Sequence, residues 1–165
     1  MRHFVSVFNE SLKSNWELPA VTNFGGVTYT YAHLAEGIAK YHILFRAAGV
    51  AKGDKVALYA RNSAEWVIAY FATLTYEAFT VPFLPDFLPS AVAELGAFSE
   101  CKLFIADDIA IAGLQGDKEN IACLEKTDGF AGIINVADIS VAYSTGVALK
   151  EAHDNIDSTF KSLYP

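Results

Sequence analysis

The sequence predicts an α/β fold, a mainly parallel sheet with helices on both faces, and three observations carry that expectation. Strand-like and helix-like runs alternate over most of the chain. The strand-like runs are nearly continuous in apolar residues, as strands covered on both faces must be. The runs between them open with residues that start helices.

Residues 21–24 and 27–30 flank Gly25-Gly26, and a Gly-Gly pair between two short β-type runs is a hairpin signal because both positions can take positive φ. Thr30 can then cap a helix whose apolar stripe is Leu34, Ile38, Tyr41 and Phe45, with Gly49 ending it at the C′ position. Gly53-Asp54 makes a turn into a strand over 55–60. Asn62, with Glu65 three positions on, forms a capping-box pattern ahead of a helix over 63–76. Residues 79–83 form the next strand, Pro89 opens a short helix at its first turn, and 102–106 form a further strand. A helix starting at Asp107 or Asp108, a strand over 132–136 and a closing helix over 156–163 complete the pattern. No repeat or linker-like tract divides it, so residues 1–165 are expected to form a single domain.

Composition narrows the function classes. Apolar residues make up 53% and charged residues 19%, more apolar surface than a domain of this length needs to fill its core. Twelve basic against nineteen acidic residues give a net charge of -7 with no run of Lys or Arg, which argues against a nucleic-acid partner. The N-terminal apolar stretch is too short for a secretory signal, so the cytoplasm is the expected compartment and Asn9-Glu10-Ser11 is a sequon without consequence. Residues 66–85 are long and apolar enough to suggest a membrane span, but Glu77, Pro82 and Pro85 interrupt them, as when a buried helix gives way to a buried strand. No transmembrane segment is expected.

Candidate chemical residues are few, and each has a plainer reading. Cys101 and Cys123 lack further ligands for zinc and read as reduced, buried thiols. His3, His33, His42 and His153 read as surface residues; His33 and His42, nine apart, fall on different helix faces and cannot share a metal. Asp107 and Asp108 follow a strand, where α/β sheets place functional carboxylates, but capping explains them better. Gly113 with Gly116, and Gly129 with Gly132, read as turn residues, and Trp66, Tyr70, Phe71 and Leu74 as buried helix packing. No G-x-G-x-x-G, G-x-x-x-x-G-K-[ST] or G-x-S-x-G is present. From the residues alone the chain is an α/β domain without an identified reaction.

A resemblance adds to this. Thr30-Tyr31-Ala32-His33-Leu34, the segment 49–58 reading GVAKGDKVAL, and Asn62-Ser63-Ala64-Glu65-Trp66 resemble, in order and spacing, the opening motifs of the adenylate-forming (AMP-binding) superfamily. Residues 78–82 and 99–105 continue the likeness, which covers 26–108 and is nearest to bacterial long-chain fatty acid CoA ligases. It implies two-step chemistry: a carboxylate attacks the α-phosphate of ATP to give acyl-AMP and pyrophosphate, and CoA thiolate then displaces AMP. The superfamily does this with a Ser/Thr/Gly-rich phosphate loop, a Y-x-x-T-E segment, a ribose-binding aspartate and a mobile C-terminal lysine. None of these can be placed in this sequence.

The resemblance therefore implies an N-terminal subdomain that is not catalytic in isolation. No catalytic, cofactor-binding or metal-binding residue is assigned, and ATP, Mg²⁺ and CoA are implied for the parent enzyme only. Its expected partners are the remaining subdomains of that parent, or a second copy forming a homo-oligomer over the surplus apolar surface. Glu77 stands where the superfamily usually has Gly, which implies backbone strain in that turn. Two further readings stand beside this one: a stand-alone binding or interaction module with the same fold, and an unrelated flavodoxin-like protein, disfavoured because no phosphate-binding loop is visible.

Overall fold

A computed structural model describes residues 3–165. In chain order its elements are α1 (Phe4–Ser14), β1 (Pro19–Thr22), β2 (Thr28–Thr30), α2 (Tyr31–Ala47), β3 (Lys55–Tyr59), α3 (Ala64–Thr75), β4 (Phe79–Phe83) and α4 (Pro89–Phe98). There follow β5 (Cys101–Ala106), α5 (Asp108–Gln115), α6 (Lys118–Glu125), β6 (Gly132–Asn135), β7 (Val141–Ser144), α7 (Ala148–Asp154) and α8 (Ile156–Leu163).

The main sheet has the order β4-β3-β5-β6-β7, with the first four strands parallel and β7 antiparallel at the edge. Two hydrophobic cores lie on its two sides. Val56, Leu58, Leu103, Ile105 and Ile134 face α2, α3, α7 and α8, while Ala57, Tyr59, Phe104 and Ile133 face α4, α5 and α6. The chain steps outward from β3 to β4 through α3 on the first face, then back to β5 and on to β6 through α4, α5 and α6 on the second. A change of direction with a change of face is what a constant crossover hand requires. Alternation breaks between β3 and β5, where Lys55 pairs with Cys101 and Val56 with Leu103, leaving Lys102 as a bulge residue that sends Cys101 to the second core, and again at Ala142 in β7, which packs on the same side as Tyr143.

The first long helix has the ends its sequence specifies. The Thr30 side chain accepts from the His33 amide, and the ring of His33 accepts from the Thr30 amide, a reciprocal cap with His in the place of Glu or Gln. At the other end Gly49 takes φ 73° and donates to Arg46, while Val50 donates to Phe45, which is a Schellman closure. Between them Leu34, Ile38, Tyr41 and Phe45 are all buried.

Several expectations need correction. The cap of α3 is Ser63, whose hydroxyl accepts from the Trp66 amide, and not Asn62; Glu65 turns away to the hairpin instead of closing a capping box. The hairpin turn is wider than two residues: Asn23 and Val27 close it, Gly25 alone takes positive φ at 67°, and Phe24 projects fully into solvent. Gly132 is not a turn residue but lies in β6 at φ 154°, where a Cβ would stand 2.1 Å from the Tyr143 carbonyl oxygen. Gly113 lies inside α5 against the ring of Pro89. Cys123, in α6, is only half-buried. Trp66, Tyr70, Phe71 and Leu74 are also half-buried, because α1 covers that part of α3 incompletely, with Phe4 and Phe8 stacked against Phe71.

Candidate functional site

In an open α/β sheet ligands gather at the carboxyl ends of strands, above all where neighbouring strands lead to opposite faces. Here that crevice lies between β3, which leads to α3, and β5, which leads to α5. The protein fills it itself. Asp107 Oδ2 accepts from the Arg61 amide at 3.0 Å and from Arg61 Nε at 3.2 Å, and Oδ1 accepts from the Ala110 amide at 2.9 Å. Burial pushes the Asp107 carboxyl up, but the bonds from Ala110 and Arg61 outweigh it and hold the group below the usual carboxylate range. Asp107 is thus the helix cap that the sequence suggested and also the clasp of the crevice. Asp108 does not cap; it accepts the Asn135 amide at 2.6 Å and ties the end of β5 to the end of β6.

The same edge tests whether the described residues could hold phosphate or metal. A helix N-terminus receives an anion through free amide groups. At α3 the Ala64 amide is taken by Asn23 Oδ1 and the Trp66 amide by Ser63, and at α5 the Ala110 amide is taken by Asp107. Among the described residues no three His, Cys, Asp or Glu side chains converge to hold a metal ion. The Ala64, Trp66 and Ala110 amides are thus not free to receive a phosphate.

A second feature opens beside the crevice. A groove of about 280 Å³ runs between α2, the first turn of α3 and the β6–β7 loop, lined by Tyr29, His33, Glu36, Gly37, Lys40, Tyr41, Glu65, Ile68 and residues 136–139. Glu65 accepts from the Tyr29 hydroxyl at 2.7 Å and from the Asn23 amide nitrogen at 3.0 Å. Burial raises its carboxyl, but the bonds from Asn23 and Tyr29 outweigh this, and the net position is below the ordinary range. Tyr29, as the donor to that carboxylate, is pushed up to about 12. Asp138 is held low chiefly by the Ser140 hydroxyl. Nothing in the sequence pattern marked Glu65, Asp138 or Tyr41 as neighbours, because the loop that brings Asp138 to α2 has no helical or strand periodicity.

The remaining candidates have structural roles. His3 accepts the Val5 amide at the start of α1, and His33 completes the cap of α2. His42 is not a surface residue: its Nε2 lies 3.0 Å from both the Ala72 carbonyl oxygen and Thr75 Oγ1, joining α2 to the end of α3. His153 is half-buried in α7. Burial pushes the Cys101 thiol up to about 12, so it is inert at neutral pH. No helix among the described residues is long and apolar enough to cross a membrane; the apolar run 66–85 divides into α3 and β4.

Together these features define an α/β fold with helices on both faces of a mainly parallel sheet and a crevice closed by its own side chains. The chain belongs to the AMP-binding enzyme family, whose family model matches residues 8–157. It is 26% identical over 109 residues to long chain acyl-CoA synthetase 1 of Arabidopsis thaliana, covering 66% of this chain and 16% of that protein. Acetyl-coenzyme A synthetase of Saccharophagus degradans is 26% identical over 136 residues, covering 78% of this chain and 21% of that one. Among solved structures, a benzoate CoA ligase from Burkholderia xenovorans LB400 superposes with a TM-score of 0.67 at 16% identity, covering 93% of this chain and 28% of that one. The chain therefore spans about a fifth or less of the length of these curated relatives.

Proposed function

We propose that residues 1–165 serve as an N-terminal subdomain of an AMP-forming carboxylate–CoA ligase acting in the cytoplasm on a fatty acid, and that they do no chemistry alone. The parent reaction converts acid, ATP and CoA to acyl-CoA, AMP and pyrophosphate, with Mg²⁺ as its metal. The observation that carries the reading is the family match together with the state of the sheet edge: Asp107, the Ala64 and Trp66 amides at the start of α3 and the Ala110 amide at the start of α5 are already bonded internally. What remains for the unit to supply is surface. Phe79, Phe98, Leu84, Leu88 and Ile109 are exposed along β4, α4 and the start of α5, and they would pack against the other subdomains of the parent or, without them, against a second copy. A fatty acid is favoured over other acids by the long-chain synthetases among the relatives.

The test is pyrophosphate release from Mg-ATP with acetate, benzoate or palmitate present. The expected result is no acid-dependent release above buffer. Acid-dependent release by this chain would overturn the reading of it as non-catalytic. Light scattering across a wide concentration range tests the surface: association that grows with concentration is expected, and a strict monomer would contradict it.

A further inference from the structure

Buried side-chain polar atoms almost always have a partner, so one that lacks it marks a place where something belongs. Tyr41 is 1% exposed, and its hydroxyl has no hydrogen-bond partner among the described residues. It lines the groove beside α2, and the two carboxylates that act on it electrostatically are Asp138 and Glu65, which line the same groove. Both carboxylates are held in their charged form chiefly by neutral donors, Asn23 and Tyr29 for Glu65 and Ser140 for Asp138, with His153 acting on Asp138 more weakly. Neither is ion-paired to a Lys or Arg among the described residues. The nearby cation, Lys40, is already engaged by Glu36 at 2.9 Å and Asp157 at 2.8 Å.

We propose that this groove binds a small organic ammonium ion, with its charge between Glu65 and Asp138, its N–H reaching the Tyr41 hydroxyl oxygen, and its apolar body against Ile68, Val136 and Ile139. The walls choose an organic cation over a metal: no three potential metal-ligating side chains converge here, and aliphatic and aromatic residues alternate with the acids. A volume of about 280 Å³ lies at the small end of ligand pockets and suits a single amine of modest size. Gly37 contributes by absence, since a Cβ there would come within 2.7 Å of Ile68 and displace the wall. The proposal does not depend on the adenylation chemistry of the parent, so it can fail or hold independently of that reading.

The experiment is a titration of the ¹⁵N-labelled chain with phenethylammonium chloride in phosphate buffer at neutral pH, with phenethyl alcohol as the neutral match of the same shape. The expected result is saturable shifts confined to residues 36–41, 65–68 and 136–140, with a dissociation constant in the millimolar range or tighter, and no saturation by the alcohol. Asp138→Asn and Glu65→Gln should each weaken binding about tenfold, and Tyr41→Phe severalfold, because each removes one polar contact to the ammonium. Glu94→Gln, an exposed acid on α4, should leave it unchanged. Asp138→Asn keeps the test valid if loss of the Glu65 charge loosens the hairpin. Absence of saturation would mean that only ordered water meets Tyr41, and equal binding by the alcohol or by Asp138→Asn would equally overturn the proposal.

Discussion

Tyr29 of the hairpin donates its hydroxyl to Glu65 in the first turn of α3 at 2.7 Å, and this bond, with the three that Asn23 makes to Glu65 and the Ala64 amide, fastens a two-stranded ribbon to the main body. A two-stranded ribbon is marginal alone, so the clasp should decide whether it is ordered. Tyr29→Phe is expected to cost about 1 kcal/mol, the value of a bond to a charged group reduced for partial exposure. Faster amide exchange over residues 19–30, with α3 unaffected, would locate the loss; unchanged exchange there would refute the clasp.

The same carboxylate sets an acid limb. Glu65, Asp107 and Asp138 all sit below their ordinary range in the fold, so the unfolded chain takes up protons more readily than the native one. Their stabilisation is fully present above the unfolded value of about 4 and is lost as pH falls through the lower folded values. Urea midpoints should therefore be flat from pH 7 to 5 apart from histidine effects, and drop below about 4. The deficit of Glu65→Gln relative to wild type should shrink as the pH is lowered.

His42 supplies the histidine effect. Burial lowers its pKa, the bond to the Ala72 carbonyl opposes this, and the net shift is downward, so the neutral ring is the folded form. A folded value below the unfolded value of about 6.5 means stability is complete above that pH and declines as pH falls toward the folded value. Ring titration by NMR should place His42 below the ordinary imidazole value of about 6.5, and His42→Gln should remove the slope between pH 7 and 5.

Legibility followed the range of the forces involved. The strand over 79–83 and the helix over 156–163 match the sequence pattern to the residue because each is fixed by local pattern and bounded by a turn. The antiparallel β7 and the helices α1, α6 and α7 are not legible in this way, since their order depends on what they dock against. β7, for example, is half-buried at every position. The cap of α3 lies one residue beyond the position the pattern predicts because Asn62 and Ser63 are both good caps, and Glu65 bonds to the hairpin across 36 residues of sequence. The groove was invisible for the same reason: its carboxylates come from a helix start and a loop 73 residues apart, which no spacing rule connects.

Glu77 carries the strain that the sequence implied. It follows α3 at φ 63°, donates to Leu74 while Ala78 donates to Thr73, and so occupies the left-handed position of a Schellman closure where glycine costs nothing. Its ion pair with Lys52 at 3.1 Å joins two largely exposed side chains and contributes little. Glu77→Gly is expected to stabilise the chain by about 0.5 to 1 kcal/mol, the relief of a left-handed residue less the lost ion pair. A lower urea midpoint for the variant would show that the ion pair outweighs the strain.

Gly96 offers the opposite test, because a helix interior normally rewards the change from glycine to alanine. In α4 that change would gain about 1 kcal/mol from propensity alone. A Cβ at Gly96, however, would stand 2.3 Å from the Phe104 ring, and Phe104 cannot retreat: it is fully buried, stacked with Phe83 at 6.2 Å and edge-on to Phe130 at 6.3 Å. Overpacking against such a wall costs about 1 to 3 kcal/mol, so Gly96→Ala should be net destabilising despite its helical advantage. Phe104→Leu alone should also destabilise, by leaving a void where the ring end was. Combined, the new methyl enters that void, and the double variant should be more stable than the sum of the two single losses by about 1 kcal/mol or more. Additive losses in a urea-denaturation cycle would mean that the helix moves away from the sheet instead, and that the contact between Gly96 and Phe104 does not set the distance between α4 and β5.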